Sequence, residues 1–249
     1  YLRGKRTGFL SFVSSIGFIG VALGVAVLIL VSSVMNGFER ELRERILQAI
    51  PHASINGGVG SEQISLVRDI LEENPEVIAS SPYIETQGLI GSTNSLKGIY
   101  IFGVNPLLEQ KVSIVSNRII EGSWNSIEEE KYGIVIGDIL AFQLGIRVGD
   151  MVNILVPDTT LSLAGILPRT KRFKVTGIFS IGAPEMDQTF AYINITNAQK
   201  LLRLGDSVQG IRIRYQDLFQ ARQLVHQDAN RVNHSIGTKF SSSNWTNSY

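Results

Sequence analysis

Phe9–Val34, FLSFVSSIGFIGVALGVAVLILVSSV, decides how the rest of the chain is read. Its 26 residues carry no charge. As a helix they would reach about 39 Å at 1.5 Å per residue, against a hydrocarbon core of about 30 Å. The stretch therefore predicts one membrane-spanning helix with room to tilt. Two other readings stand beside it, a buried core helix and a secretory signal with Arg3, Lys5 and Arg6 as its basic leader. The signal reading fits poorly. Such signals have apolar cores of about 7–15 residues before a small-x-small cleavage site, and Ser33-Val34-Met35 offers no such site. Within the span, Gly17, Gly20 and Gly24 include a Gly20-x-x-x-Gly24 spacing that lets a second helix backbone approach closely. Glycine is also common in membrane helices generally, so the spacing alone leaves helix packing open.

Outward from this stretch, the composition becomes intelligible. The 249 residues include 23 Lys or Arg and 22 Asp or Glu, and only 18% are charged, where a soluble domain carries about 25%. The deficit sits in one place, because no charge occurs from Thr7 to Phe38. The remainder has the charge content of an ordinary globular domain. Its aliphatic content excludes a disordered chain, the absence of Cys excludes a disulfide scaffold, and a net charge of +1 excludes recruitment to nucleic acid by bulk charge.

The helix is expected to continue past the membrane. Met35, Phe38, Leu42, Ile46 and Ala49 form an apolar stripe at helical spacing, while Glu39, Arg40, Glu41, Arg43, Glu44 and Arg45 fill the other faces and Pro51 ends the run. Residues 1–50 thus read as a transmembrane helix and stalk. The mixed charge signs favour a stalk over a helix lying on the membrane surface. Positive-inside counting gives three cations on each side of the span, so charge leaves the sidedness tied.

The soluble portion reads as α+β. Ser61 is the expected N-cap of a helix ended by Asn74-Pro75. Tyr83–Ile90 and Lys97–Val104 are expected strands joined by a turn at Gly91–Asn94, and Val208–Tyr215 alternates as a half-buried strand before a helix capped by Asp217. Between these lies a β-rich stretch: Ile134–Ile136, a short helix at Asp138–Leu144, then Met151–Val156, Arg172–Phe179 and Thr189–Ile193. The expected organisation is a discontinuous α+β subdomain from 51–110 and 205–243, a β-rich insert subdomain at 111–204, and a closing stretch at 244–249. The apolar-rich connection 157–171 is far longer than the usual hairpin loop of about 2–5 residues. Leu161, Leu163, Ile166, Leu167 and Pro168, followed by Arg169 and Lys171, make it either a docking arm for a partner or an extended hairpin folded on its own domain.

No catalytic and no metal site is expected. His52, His226 and His234 are scattered, there is no Cys, and Glu72-Glu73 and Glu128-Glu129-Glu130 read as solvated faces. Gly91–Gly98 approaches a phosphate loop but places Leu96 where the second glycine belongs and Gly98 where a magnesium-binding hydroxyl belongs. Asn194-Ile-Thr196, Asn233-His-Ser235 and Asn244-Trp-Thr246 match glycosylation sequons by pattern only.

Several segments carry a resemblance. Tyr1-Leu-Arg-Gly-Lys-Arg6, the glycine-containing span, Ser33-Val-Met-Asn-Gly-Phe-Glu-Arg-Glu-Leu42 and Ile50-Pro-His-Ala53 resemble the first membrane helix and stalk of the lipoprotein-releasing ABC permeases, the LolC/LolE family within the wider MacB/FtsX-like group. Phe173-Lys-Val-Thr-Gly-Ile-Phe179, Ile136-Gly-Asp138 and Leu144-Gly-x-x-x-Gly-Asp150 resemble the insert subdomain of that group. The resemblance implies an inner-membrane protein with residues after about 35 in the periplasm. It implies release of triacylated lipoproteins to a periplasmic chaperone, driven by ATP and Mg on a separate ATPase subunit present in two copies, with no cofactor in this chain. A second permease subunit or a second copy of the chain, and membrane lipid, are the further implied partners; nucleic acid is not. Lipoprotein contacts map onto Val34, Met35, Phe38 and Leu42, and a chaperone-docking hook maps onto Leu161, Leu163, Ile166, Leu167, Pro168, Arg169 and Lys171. The hook is a C-type feature, whereas Ser180–Ile193 and Val208–Ala221 resemble the E-type subunit, which leaves the subunit type open. Asn244–Tyr249 resembles the lead-in to a second membrane helix, so the chain is expected to be part of a longer protein. A MacB-like efflux transducer and an FtsX-like membrane-tethered regulator are the alternatives.

Overall fold

The computed structural model describes the backbone of residues 3–49, 51–92, 95–157, 168–237 and 239–244, with side chains for all of these except 3–10, 38–49, 61 and 244. It divides into two units, Tyr1–Glu44 and Arg45–Tyr249. The first unit is occupied by helix α1 (Arg3–Ala49), whose 47 residues correspond to about 70 Å. Ser11–Gly37 within it is long and apolar enough to cross a membrane, and its side chains are exposed. Pro51, which breaks a helix interior, follows two positions after Ala49.

In the second unit the chain forms β1 (Ala53–Val59), α2 (Ser61–Glu72), β2 (Val77–Gly91), β3 (Leu96–Val104), α3 (Pro106–Val112), a 3₁₀ turn (Val115–Arg118), β4 (Ile119–Gly122) and α4 (Ser126–Glu129). It continues with β5 (Gly133–Gly137), α5 (Asp138–Leu144), β6 (Met151–Val156), β7 (Arg169–Phe179), α6 (Pro184–Asp187), β8 (Phe190–Asn194), α7 (Ile195–Leu202), β9 (Val208–Tyr215), α8 (Ala221–Ile236) and β10 (Ser241–Asn244). The strands make one mixed sheet in the order β10-β1-β9-β2-β3-β8-β5-β7-β4, with β6 bridging β2 and β7 off that path. Two neighbour pairs, β3 with β8 and β5 with β7, are parallel. An apolar helix followed by an α+β domain is the architecture expected from the sequence.

Strand alternation explains why the middle of the sheet is covered on both faces. Ile101 of β3, Ile134 and Ile136 of β5 and Ile193 of β8 face one core, which α2 closes with Val67 and Leu71 and α8 with Val225, Ala229 and Val232. The intervening Phe102, Val135, Phe190 and Tyr192 face a second, aromatic core with Trp124 and Phe179. There Phe102 meets Phe190 edge-on at 4.8 Å, and Trp124 meets Tyr192 at 5.5 Å between centroids. Such T-shaped pairs add about 0.5–1.5 kcal/mol each beyond their burial. β2 is long because it serves three neighbours: β9 along 77–83, β3 along 83–91 and β6 at 89–91.

Helix starts differ from expectation in several places. The N-cap of α2 is Gly60, and Ser61 is the first helical residue. Asp217 does not cap α8; it accepts from the Phe219 amide at 2.8 Å and Gln220 Nε2 at 3.0 Å, closing a turn that precedes the helix. Two unforeseen helices begin at asparagines. Asn105 accepts from the Leu107 and Leu108 amides before α3, and Asn194, part of a sequon pattern, accepts from the Thr196 amide at 2.9 Å before α7. The stretch that approached a phosphate loop joins β2 to β3, with Gly91 paired to Leu96 and Gly98 to Leu89; the chain there returns as a strand where a phosphate loop would enter a helix.

Candidate functional sites

At the C-terminal edge of the apolar stretch, Val34 and Met35 are 65% and 60% exposed. Positions 34, 38 and 42 recur every four residues along the backbone of α1. The side chains of Phe38 and Leu42 lie outside the described residues. A Cβ added at Gly17, Gly20 or Gly24 would meet no atom within 4 Å, so among the described residues nothing packs against that strip.

The long hairpin is rooted by β6 and β7, whose register pairs Met151 with Lys174 and Val156 with Arg169. Leu161, Leu163, Ile166 and Leu167 lie outside the described residues. Pro168 is exposed. Arg169 and Lys171 are held by their own domain: Arg169 Nη1 donates to the Leu202 carbonyl, and Lys171 Nζ sits 4.1 Å above the Tyr132 ring. The Lys171 ammonium is the main cause that lowers the Tyr132 phenol pKa, with Lys200 and Lys131 adding to the positive field.

Charged groups elsewhere are structural. Arg212 on β9 is buried against Glu109 Oε1 of α3 at 3.3 Å and Glu85 Oε2 of β2 at 3.4 Å. Burial opposes its charge, but Glu109, Tyr192 and Glu85 more than restore it and raise its pKa above the usual value. Buried Asp228 accepts from the Tyr215 hydroxyl at 2.8 Å and from Asn74 Nδ2 at 3.0 Å, tying α8 to β9 and to the end of α2. This pushes the Tyr215 phenol pKa up, burial being the largest cause. His52 Nδ1 accepts from the Tyr215 amide at 3.2 Å. Burial, with Arg214 nearby, lowers its pKa to about 4. Glu72 and Glu73 pair with Arg68 and Arg231, and Glu130 with Lys174. Among the described residues no three His, Cys, Asp or Glu side chains converge to hold a metal. Sequence reading missed the Arg212 cluster because its members lie 103 and 127 positions apart.

Together these features define a chain with a membrane-length helix followed in sequence by an α+β domain. The chain belongs to the family of MacB-like periplasmic core domains, whose sequence profile matches residues 14–227. It is 36% identical over 235 residues to the lipoprotein-releasing system transmembrane protein LolC of Xylella fastidiosa strain 9a5c, covering 94% of this chain and 56% of that protein. It is 34% identical to LolC of Neisseria meningitidis serogroup B, covering 87% of this chain and 53% of that one. To the LolE protein of Haemophilus influenzae it is 32% identical, over 90% of this chain and 55% of the relative. These relatives bear out the resemblance read from the sequence, and the chain spans about half of their length. Among solved structures, the periplasmic region of MacB from Actinobacillus actinomycetemcomitans shares the fold at TM-score 0.51 and 11% identity, covering 80% of this chain and 90% of that one.

Proposed function

We propose that this chain is part of the membrane subunit of an ABC transporter that releases triacylated lipoproteins from the inner membrane to a periplasmic chaperone. The observation that carries this reading is identity of 36% sustained over 94% of the chain to a protein named for lipoprotein release. The likeness to MacB, at 11% identity, concerns the fold and does not favour an efflux role. In this reading the domain after α1 lies in the periplasm, a separate ATPase subunit in two copies hydrolyses ATP, and a second permease subunit or second copy completes the membrane part.

Lipoprotein acyl chains are received along Val34, Met35, Phe38 and Leu42. An apolar stripe at the bilayer edge suits them, since each buried methylene contributes about 0.8 kcal/mol. The hairpin residues Leu161, Leu163, Ile166, Leu167 and Pro168 present apolar surface to the chaperone. Arg169 and Lys171, bound to Leu202 and Tyr132, support the base of the hairpin in this reading. Photocrosslinking residues introduced at Met35 and Phe38 of the full-length protein in its complex should trap lipoprotein. If neither position does so while the complex still releases lipoprotein, the stripe is not the receiving site.

A further inference from the structure

β9 ends at Tyr215, a fully buried residue whose amide donates to His52 Nδ1 at 3.2 Å. The ladder from β1 to β9 begins at Ala53 opposite Ile213. Carried two residues outward, that antiparallel register would set position 51 opposite Tyr215, but β1 has not begun there. The half-buried imidazole of His52 takes the place of the carbonyl that a longer β1 would offer. One side chain thus closes the ladder in the short link from α1 to β1. On its other edge Tyr215 pairs with Val77 of β2, and its hydroxyl donates to Asp228 of α8.

An imidazole acceptor makes this contact sensitive to acid. Neutral histidine accepts at one ring nitrogen, whereas the imidazolium carries N–H on both. A proton on Nδ1 would face the Tyr215 N–H, donor against donor, and leave a buried backbone group unpaired. The charged groups acting on the ring come from β9 and from the turn after it. Arg214 opposes an imidazolium, and its Nη1 donates to the Lys111 carbonyl of α3. Asp217 favours one, but its carboxylate already accepts from the Phe219 amide and Gln220 Nε2. We propose that His52 is an acid-released latch, which ties the link between α1 and β1 to the end of β9 while neutral and lets go when protonated. Acid thereby loosens the covalent path from α1 into the sheet. The latch goes beyond lipoprotein release and does not rest on it.

The test is hydrogen–deuterium exchange of the full-length protein with its partner subunits in nanodiscs, resolved to single amides and corrected for the intrinsic rate at each pH. Burial, with Arg214, holds His52 in the fold at about 4, against about 6.5 for a free imidazole. Proton linkage between these values should lower the protection of the Tyr215 amide about thirtyfold from about pH 7.5 to about pH 5. The Ile211 amide, on the same strand and paired with Ile55, should keep its protection. His52→Asn places a carbonyl near the position of Nδ1 and takes up no proton, so the Tyr215 amide should stay protected at both pH values. His52→Ala removes the acceptor and should leave that amide open at both. Equal protection of Tyr215 at the two pH values in wild type overturns the latch. So does a pH dependence that persists in either variant, which would assign the sensing to another group. Loss at Tyr215 and Ile211 together would be melting of the strand, and overturns it as well.

Discussion

Arg212 sits 4.5 Å from the Tyr83 ring centroid and 4.6 Å from that of Phe102, with Glu109 and Glu85 at its terminal nitrogens. Cutting one partner of a buried ion pair strands the other, a loss of about 3–5 kcal/mol. Arg212→Ala should lower unfolding stability by that order in urea titration, whereas Arg212→Met with Glu109→Leu should recover much of it. His52 gives a prediction with a sign. Its pKa in the fold is lowered to about 4, against about 6.5 when unfolded. The unfolded chain therefore binds more protons between these values, so stability is full above about pH 6.5 and declines as pH falls toward 4. Melting temperatures across that window should show a smaller decline in His52→Gln than in wild type. Neither residue's role was legible in advance. Val208–Tyr215 alternates as a half-buried strand, which would leave Arg212 in water. Helix α3, which brings Glu109 over it, was not foreseen because Asn105-Pro106 resembles a turn as much as a helix start.

At the scale of elements, two strands were legible end to end: β6 and β9 lie at Met151–Val156 and Val208–Tyr215, as read from the sequence. Helix starts were harder, since Asp217 closes the turn before α8 while Gln220 takes the N-cap position, and the sequence does not rank the two as caps. β10 was missed because Ser241–Asn244 has no apolar alternation; its place comes from backbone pairing with β1 and from hydrogen bonds of the Ser241 and Ser242 hydroxyls with Asn56 and His226. That pairing sets Ser54 opposite Ser243, joining the strand that follows α1 to the last described strand. Antiparallel neighbours at about 4.5–5.5 Å between Cα atoms match disulfide geometry. Ser54→Cys with Ser243→Cys should therefore oxidise to an intramolecular crosslink seen as a mobility shift without reductant. A pair that stays reduced under oxidant would mean that β10 does not lie on β1.

The whole molecule combines a helix able to cross a bilayer with a domain of the MacB-like periplasmic type. The helix was readable from Phe9–Val34 and the α+β character from the strand pattern, whereas the MacB-like type came only with the resemblance carried by Ser33–Leu42 and Phe173–Phe179. Exposure at Val34 and Met35 follows a local pattern, while the Arg212 cluster depends on which strands and helices become neighbours. The function proposed above is that the full-length protein, with its partners, moves lipoproteins. It is tested most directly by reconstituting the full-length protein with its ATPase and permease partners in proteoliposomes carrying a triacylated lipoprotein. Transfer to the soluble phase should require both ATP and the chaperone, and Met35→Glu with Phe38→Glu should reduce it at least about tenfold. ATP turnover with all of the lipoprotein retained in the vesicles would contradict the account.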